Sequence, residues 1–197
     1  MVTLSGLLRR RRLLTRVFAC FAAFVTALPS SGAEAPASVT VPMKIEGNRP
    51  FIDLSLRRPD GTVRSARFLI DTGGGGFLMT ESLARDAGVR WGEVETAEGR
   101  QMARAETLPD ATVGGFPLQL DPQRVFVLIG IDNILPPVAP GQAEGMLPGH
   151  VLARAHVIFD YPAGSFTIGR PGSRKPEGKP LPMPVGQPMG FPRTEVE

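Results

Sequence analysis

Residues 66–79 read ARFLIDTGGGGFLM, an apolar strand that leads directly into an Asp-Thr-Gly turn. The strand delivers the carboxylate of Asp71 from its end onto a run of four glycines, residues 73–76. Glycine tolerates positive φ and lets a substrate or a second backbone come close, so this loop leaves the carboxylate accessible. A carboxylate held in this way is suited to acid and base chemistry, provided that it finds a partner group.

The residues around the turn favour a specific interpretation of it. Asp-Thr-Gly alone is a common turn sequence, in which Asp caps the turn and Gly supplies the special dihedral angles. Here the apolar residues 68–70 precede it, and residues 80–88 read as a short helix with Thr80 as the N-cap and Gly88 just past the end. Strand, glycine loop, short strand and helix in this order favour an active-site loop.

The first 33 residues have the pattern of a signal peptide. Arginines at 9–12 and Arg16 form a basic region, and the apolar segment 17–28 follows it. Residues 31–33, Ser-Gly-Ala, supply the small residues that a signal peptidase reads. The apolar run is shorter than the roughly 20 residues of a comfortable membrane span. We therefore predict secretion across the inner membrane to the periplasm, with an uncleaved N-terminal membrane anchor as the alternative.

Removal of the leader changes the charge and the cysteine content. The leader holds five of the 22 basic residues and no acidic one, so 17 basic residues remain against 19 acidic residues, a net charge near −2. The basic character of the whole sequence therefore predicts no binding to nucleic acid. The one cysteine, Cys20, also lies in the leader, so we expect no disulfide and no thiolate site in the mature protein.

Short strands separated by turns predict a mostly β domain. Strands are predicted at 39–45, 50–56, 62–70, 112–115, 116–120, 125–131, 157–161 and 165–168. In the second of these, Asp53 is expected to face solvent. A proline-rich loop around Pro136-Pro137 and Pro140-Gly141 is not expected to form regular structure, and residues 145–152 are expected to precede a second short helical turn.

A polar hairpin is predicted at 91–97 and 100–108, around Glu98-Gly99. It carries the charged residues Glu93, Glu95, Arg100, Arg104 and Glu106 and few large apolar side chains. Because so little of it can be buried, we expect the hairpin to project from the body of the domain and to move.

The end of the chain differs from the rest in composition. From residue 171 onward prolines, glycines and charges dominate, which predicts a disordered tail at 171–197. A flexible leader is predicted at 34–38. Residues 39–170 then form one domain, predicted as a small closed β barrel with one or two short helices.

Taken together, these residues resemble the retropepsin-like aspartic proteases, in particular the bacterial secreted members with a single lobe. Four features occur in the family's order: the strand with Asp71-Thr72-Gly73, the hairpin at 91–108 in the place of the flap, Met146-Leu147 leading into Val151-Leu152, and the closing hairpin at 157–168. The match covers most of residues 39–168. It implies an acid-protease barrel that is a single retropepsin-like lobe.

The resemblance implies an aspartic endopeptidase that works as a homodimer. In the family two carboxylates share one proton, so that one activates a water and the other protonates the peptide carbonyl. The chain has no second Asp-Thr-Gly or Asp-Ser-Gly, so each subunit would contribute Asp71. Thr72 would interlock the two loops, and Gly73 would lend its N–H to the carboxylate. The hairpin, with Gly99 and Arg100, would close over a peptide or protein substrate.

Two departures from the family pattern keep a second function open. Pro148 stands where the family usually has a glycine behind the active loop, and Gly149 follows one residue later. Either the loop is shifted by one residue or the packing behind it differs, because proline fixes φ and removes a hydrogen-bond donor. The run of four glycines is also longer than usual. The alternative is a catalytically inactive retropepsin-like module that binds or scaffolds proteins in the cell envelope.

Other kinds of site fit the sequence less well. A phosphate cradle calls for a helix directly after the glycines and usually for a lysine, but no lysine occurs between Lys44 and Lys175. His150, His156 and Asp160 do not have the spacing of metal ligands on one helix face. No Ser/His/Asp arrangement stands out. We therefore predict no cofactor and no metal.

Overall fold

The computed structural model describes residues 35–97, 99–136 and 141–174 and, for the backbone alone, residues 185–186 and 191–192. The predicted signal peptide at 1–33 and most of the predicted tail at 171–197 lie outside the described residues, so both stay predictions. Among the described residues, no helix combines the length and the apolar composition that a membrane span requires.

The first four strands are β1 (Ser38–Pro42), β2 (Lys44–Glu46), β3 (Arg49–Arg57) and β4 (Val63–Asp71). The single strand predicted at 39–45 is therefore wrong. β1 pairs with the last strand of the domain and β2 pairs with β3, so the chain changes sheets at Met43. Met43 is buried, and its N–H donates to the carbonyl oxygen of Gly164 over 2.8 Å, which fixes the crossing point.

β3 and β4 are the two longest strands and pair antiparallel over seven residues. Alternation sets the two faces of β3, because Ile52, Leu54 and Leu56 are buried while Asp53 is exposed, as predicted. β5 (Phe77–Thr80) then leads into α1 (Glu81–Asp86). The hydroxyl of Thr80 accepts the N–H of Leu83 over 3.3 Å, and this confirms the predicted N-cap.

The predicted hairpin is present as β6 (Trp91–Ala97) and β7 (Arg100–Ala105). Gly99 in its turn has a φ of 73°, a conformation that glycine adopts without strain. The second strand ends at Ala105, not at residue 108. β7 also pairs antiparallel with β10 (Val125–Leu128), so one strand of the hairpin belongs to the main sheet. Whether the hairpin moves stays a prediction.

The remaining elements are short. They are β8 (Ala111–Val113), β9 (Phe116–Pro117), β11 (Gly145–Pro148), α2 (Gly149–Leu152), β12 (His156–Asp160), β13 (Ser165–Gly169), β14 (Val185–Gly186) and β15 (Phe191–Pro192). β10 ends at Leu128 and not at 131. The N–H of Ile129 still donates to the carbonyl oxygen of Gln101 on β7, and the chain turns away at Gly130, where φ is 72°.

Strands β1 to β13 form one large sheet and a smaller sheet, and β14 and β15 pair with each other as a separate two-stranded sheet. The large sheet has the order β6-β7-β10-β5-β11-β4-β3-β8-β9, with β2 beside β3, and the smaller one has the order β1-β13-β12. The prediction of a mostly β fold with two short helices is confirmed. The predicted closure is not found: among the described strands the order runs from β6 to β9 without returning, because β6 pairs only with β7 and the two-residue β9 only with β8.

β11 lies in the middle of the large sheet and controls the position of the candidate site. It runs parallel to β4 and antiparallel to β5, so the chain that returns from the proline-rich loop is inserted between the two strands that flank the glycines. Its register places Pro148 beside Asp71 and Leu147 beside Ile70. The end of β11 and the start of α2 therefore lie directly behind the Asp-Thr-Gly turn.

Two apolar clusters form the core. The larger one contains Phe68 and Phe77, whose ring centroids are 5.2 Å apart, together with Leu83 and Leu147. The smaller cluster packs Phe51 and Leu128 against Ile134, Leu135 and Ala143. The last three belong to the proline-rich connection between β10 and β11, which has no helix or strand among its described residues, as predicted. Its contribution to the core was not predicted.

Candidate active site

Asp71 is the last residue of β4 and stands at the boundary between core and solvent. Ile70 before it is buried, Asp71 is half-buried and Thr72 after it is exposed. The N–H of Gly73 donates to Oδ1 of Asp71 over 3.0 Å, and the N–H of Gly74 donates to the carbonyl oxygen of Asp71 over 3.0 Å. These two bonds fix both the carboxylate and the turn, while the carboxylate keeps access to solvent.

The four glycines after Thr72 serve the fold through their small size. None of the four has a positive φ, so the expected use of glycine's conformational freedom is not observed here. A Cβ on Gly74 would lie 2.8 Å from Cε of Met146, and one on Gly76 would lie 2.8 Å from the ring of Phe126. Gly75 has open space around it. The requirement for glycine is therefore steric and is strongest at Gly76, because the Met146 methyl group that faces Gly74 is the flexible end of a side chain.

Gly149 provides the close packing behind the turn. A Cβ on this residue would lie 2.1 Å from the carbonyl oxygen of Thr72, a distance that two unbonded atoms do not adopt. Pro148 is buried and extended, with φ −87° and ψ 161°, and it occupies the position beside Asp71 in the β4–β11 pair. The glycine that packs against the loop is therefore Gly149, one residue after Pro148. Of the two alternatives that the sequence left open, the structure shows the shift by one residue.

A cavity of about 880 Å³ opens beside the carboxylate. Asp71 and Thr72 line it together with Asn48, Arg49 and Gly149, and Asp71 is the only acidic residue among its described lining. Apolar and aromatic residues line another part of it and come from α2, from β12 and from the turn after β12: Leu152, Val157, Phe159 and Tyr161. Tyr161 is 58% exposed. The carboxylate therefore faces a wide space with one apolar wall.

A second pocket, of about 310 Å³, lies between the glycine loop and the hairpin. Gly75 and Gly76 form one side of it, and Ala97 and Arg100 form the other. Its floor is apolar and consists of Leu78, Met102, Phe126, Leu128 and Met146. This is the space in which a chain passing beneath the hairpin would lie.

The structure places the predicted site residues at the Asp-Thr-Gly turn and at the hairpin, where they border two different pockets. Asp71 and Thr72 line the larger cavity, Gly73 donates to the carboxylate, and Arg100 lines the smaller pocket. Gly99 lies in the exposed turn of the hairpin and has no heavy atom within 4 Å of an added Cβ. No described residue lines both pockets, so the assignment of these residues to one catalytic site stays a prediction.

Several residues of the site were not predicted. Met146 and Phe126 enclose the glycine loop, and Phe159 and Tyr161 line the larger cavity, with ring centroids 6.1 Å apart. Only Gly149 carried a signal in the sequence, as a glycine that follows an apolar pair. The aromatic residues carried none, because apolar residues in strands are expected on any β sheet.

His150 lies on α2, directly after Gly149. Its two ring nitrogens are buried without a described hydrogen-bond partner. Burial lowers the pKa of His150 from its ordinary value of 6.5; the positive charges of Arg124 and Arg154 act in the same direction and Asp121 opposes them. These surroundings favour the neutral form of the histidine that follows Gly149. In the part of the chain that the structure describes, no three His, Cys, Asp or Glu residues are grouped to hold a metal ion.

Comparison with solved structures gives a weak likeness at the level of the fold. No protein-family model matches the chain, and no curated protein is similar to it. A retropepsin-like aspartic protease from Rickettsia conorii is similar in structure, with a TM-score of 0.40 and 13% sequence identity over 68% of this chain and 90% of that chain. This likeness is a hint at the level of the fold and says nothing about individual site residues.

Proposed function

We propose that the protein is an aspartic endopeptidase in which two copies of the chain each contribute Asp71. The paired carboxylates share one proton, because two like charges a few ångströms apart cannot both ionise freely. The ionised member takes a proton from a water molecule, and the protonated member donates to the carbonyl oxygen of the peptide bond. The two titrate as a unit. Water and the two side chains are sufficient for this reaction, so no cofactor is needed.

The observation that carries this proposal is the position of Asp71. The carboxylate is held by the N–H of Gly73 at the end of a buried strand and opens on a cavity of about 880 Å³ that has no second acidic residue among its described lining. A merely structural Asp in a turn does not need the close support that Gly149 gives to Thr72. A second copy that entered this space along a two-fold axis would bring its own Asp71 alongside the first.

The surface that a second copy would contact is suited to that role. The wall of the cavity exposes Tyr161 and is continuous with β12, which is an edge strand of the smaller sheet among the described strands. Ile158 on β12 is a further exposed apolar residue. Edge strands and exposed apolar side chains are features that protein interfaces use. We place the subunit interface on α2 and β12, next to the carboxylate.

The substrate in this proposal is an extended peptide or protein segment that passes Asp71 in the larger cavity and reaches into the pocket beneath the hairpin. Glycines at 75 and 76 leave room for its backbone, and the hairpin around Gly99 covers it and excludes water during the reaction. The N-terminal signal sequence directs the mature protein to the periplasm in this proposal, where envelope or secreted proteins are the available substrates.

Cleavage of a mixed peptide library by the purified protein and by its Asp71→Asn variant tests the proposal. The change leaves the size of the side chain unchanged and removes the acid, so we expect cleavage to fall by at least about 10³-fold. Asp53→Asn is the matched control, because it removes an exposed carboxylate of the neighbouring strand β3. We expect the control to cleave as the wild type does. Equal activity of the Asp71→Asn and wild-type proteins would refute the mechanism.

Dilution separates the protease from the inactive binding module. A site that needs two copies loses specific activity as the protein is diluted below the dissociation constant of the dimer. Sedimentation at the same concentrations should show the dimer disappearing together with the activity. A protein that stays monomeric at high micromolar concentration and cleaves no peptide in the library would instead be the binding or scaffold module.

A further inference from the structure

The pocket between the glycine loop and the hairpin has an unusual combination of walls. Its floor is apolar, formed by side chains such as Leu78, Met102 and Met146, and its volume of about 310 Å³ is in the range of specific ligand pockets. Arg100 is the one charged residue among its described lining. A pocket that is apolar at the bottom and positive at the mouth is matched by a side chain with an apolar stem and an anionic end.

The charge of Arg100 is not neutralised by the protein itself among the described residues. Elsewhere on the same sheet, Arg64 pairs with Glu144 and Arg67 pairs with Glu46. Arg100 forms no such ion pair with a described carboxylate; its Nη1 donates to the carbonyl oxygen of Ile134 over 3.5 Å. That contact ties the guanidinium to the connection between β10 and β11 and leaves its other donors for a ligand.

The glycines that line the pocket contribute backbone atoms to it and no side chain. The N–H groups of Gly75 and Gly76 make no hydrogen bond with an acceptor among the described residues. Both residues line the pocket and carry no side chain that could block it. An extended peptide in this pocket can therefore place a backbone carbonyl on the glycine side while its side chain reaches towards Arg100.

We propose that this pocket selects a glutamate of the peptide substrate and that Arg100 is the residue that determines this specificity. The inference rests on the proposed function, since it takes the ligand to be a peptide. The two methylene groups of glutamate lie against the apolar floor, and its carboxylate forms a charge-assisted, two-pronged pair with the guanidinium. Glutamine has the same shape without the charge, and aspartate is one methylene shorter, so both bind less well.

Binding to a protein that cannot cleave tests this assignment without depending on catalysis. The Asp71→Asn protein is titrated into fluorescent peptides that differ at one position, where Glu, Gln or Lys is moved along an otherwise constant apolar sequence. At one position we expect Glu to bind roughly ten-fold more tightly than Gln, and Lys to bind least. The preference for Glu should shrink as the salt concentration is raised, because Arg100 is exposed at the mouth of the pocket.

Second-site variants in the Asp71→Asn background identify the responsible cation. Arg100→Gln should reduce the Glu preference to within about two-fold, and Arg100→Lys should retain part of it because the charge stays and the two-pronged geometry is lost. Arg104→Gln is the matched control: Arg104 lies on the same strand, outside the pocket lining, and its Nη1 donates to Oε1 of Gln123 over 2.9 Å. This control should keep the full preference.

The outcomes separate this inference from the proposed function. Equal binding of Glu and Gln peptides at every position, no binding of any peptide, or a Glu preference that survives in Arg100→Gln would overturn the assignment of the pocket. If the wild type cleaves peptides without a preference for Glu, the proposed protease function is supported and the Glu specificity of the pocket is refuted. If Glu peptides bind through Arg100 but the wild type cleaves none of them, the Glu specificity of the pocket is supported and the proposed protease function is refuted.

Discussion

The loop that carries Asp71 and the hairpin β6–β7 border the same pocket, but the protein holds them in different ways. Around the loop, added Cβ atoms on Gly149, Gly74 and Gly76 would collide with neighbouring atoms at 2.1–2.8 Å. At the tip of the hairpin, Gly99 has no heavy atom within 4 Å of an added Cβ, and Val94 on β6 is 48% exposed. The loop is therefore close-packed, whereas the hairpin is attached to the main sheet chiefly through the pairing of β7 with β10.

The difference matches what the proposed chemistry requires of each wall. A catalytic carboxylate has to be held to within a fraction of an ångström, because a displacement of about 1 Å can cost 10²-fold in rate. A hairpin that closes over the substrate also has to open again, and weakly packed structure allows this motion. Substitutions in the loop should therefore change stability and activity together, and substitutions at the tip of the hairpin should change them less.

The largest effect is expected for Gly149→Ala. The new Cβ meets the backbone of Thr72, which cannot rotate away as a side chain could, so either α2 or the Asp-Thr-Gly turn has to move. We expect a loss of about 3 kcal/mol in the free energy of unfolding and a fall of about 10²-fold in cleavage. Urea unfolding and peptide hydrolysis measure the two effects.

Gly75→Ala is the control for this prediction. Its Cβ would have no heavy atom within 4 Å and its φ is not positive, so its free energy of unfolding should stay within about 0.5 kcal/mol of the wild type. Equal stability of the Gly149→Ala and wild-type proteins would show that the loop is not close-packed from behind.

A smaller effect is expected for Gly76→Ala, whose Cβ meets the ring of Phe126 on β10. A side chain can adjust more than a backbone, so we expect a loss of about 1–2 kcal/mol. Phe126→Leu makes room for the methyl group, and the double variant should be more stable than the sum of the single changes predicts. Thermal unfolding of the four proteins in a double-mutant cycle measures this coupling, and strict additivity would contradict the contact.

Gly99→Ala tests the hairpin and should have a still smaller effect. The substitution meets no neighbour, but a φ of 73° is unfavourable for alanine, at a cost of about 1 kcal/mol. Gly99→Asn should cost less, since asparagine tolerates this conformation better. Differential scanning calorimetry orders the three proteins. A larger loss for Gly99→Ala than for Gly149→Ala would reverse the comparison between the two walls.

The smallest expected effect is a pH dependence of the free energy of unfolding that arises from His150 on α2. Because the folded state lowers the pKa of His150 below 6.5, the unfolded chain binds more protons in the window below that value. The free energy of unfolding should therefore fall as the pH is lowered through 6.5 towards the folded pKa, and His150 should add no slope above this window. His150→Gln should flatten the curve between about pH 7.5 and 5.5, and His156→Gln serves as the control. An unchanged slope in His150→Gln would assign the effect to other groups.

Local patterns in the sequence were reliable where the cause is local. The N-cap at Thr80, the exposed side of β3 at Asp53 and the hairpin turn at Gly99 follow from hydrogen bonding, alternation and backbone sterics within a few residues. The prediction of a strand at 39–45 was wrong because nothing local reveals that Met43 is where the chain changes sheets. The contribution of Ile134 to the core was missed for the same reason, since its partners Phe51 and Leu128 lie on distant strands.

The sequence by itself determined that this chain forms a mostly β domain and that one carboxylate, Asp71, stands at the end of a buried strand before a glycine loop. The tertiary structure determined three further things: the steric reason for glycine in that loop, the support of the loop by Gly149, and the residues that line the cavity beside the carboxylate. The insertion of β11 between β4 and β5 brings Met146 and Gly149 against residues about 75 positions earlier in the chain. Such contacts depend on how strands order themselves in a sheet, which spacing and composition along the chain do not encode.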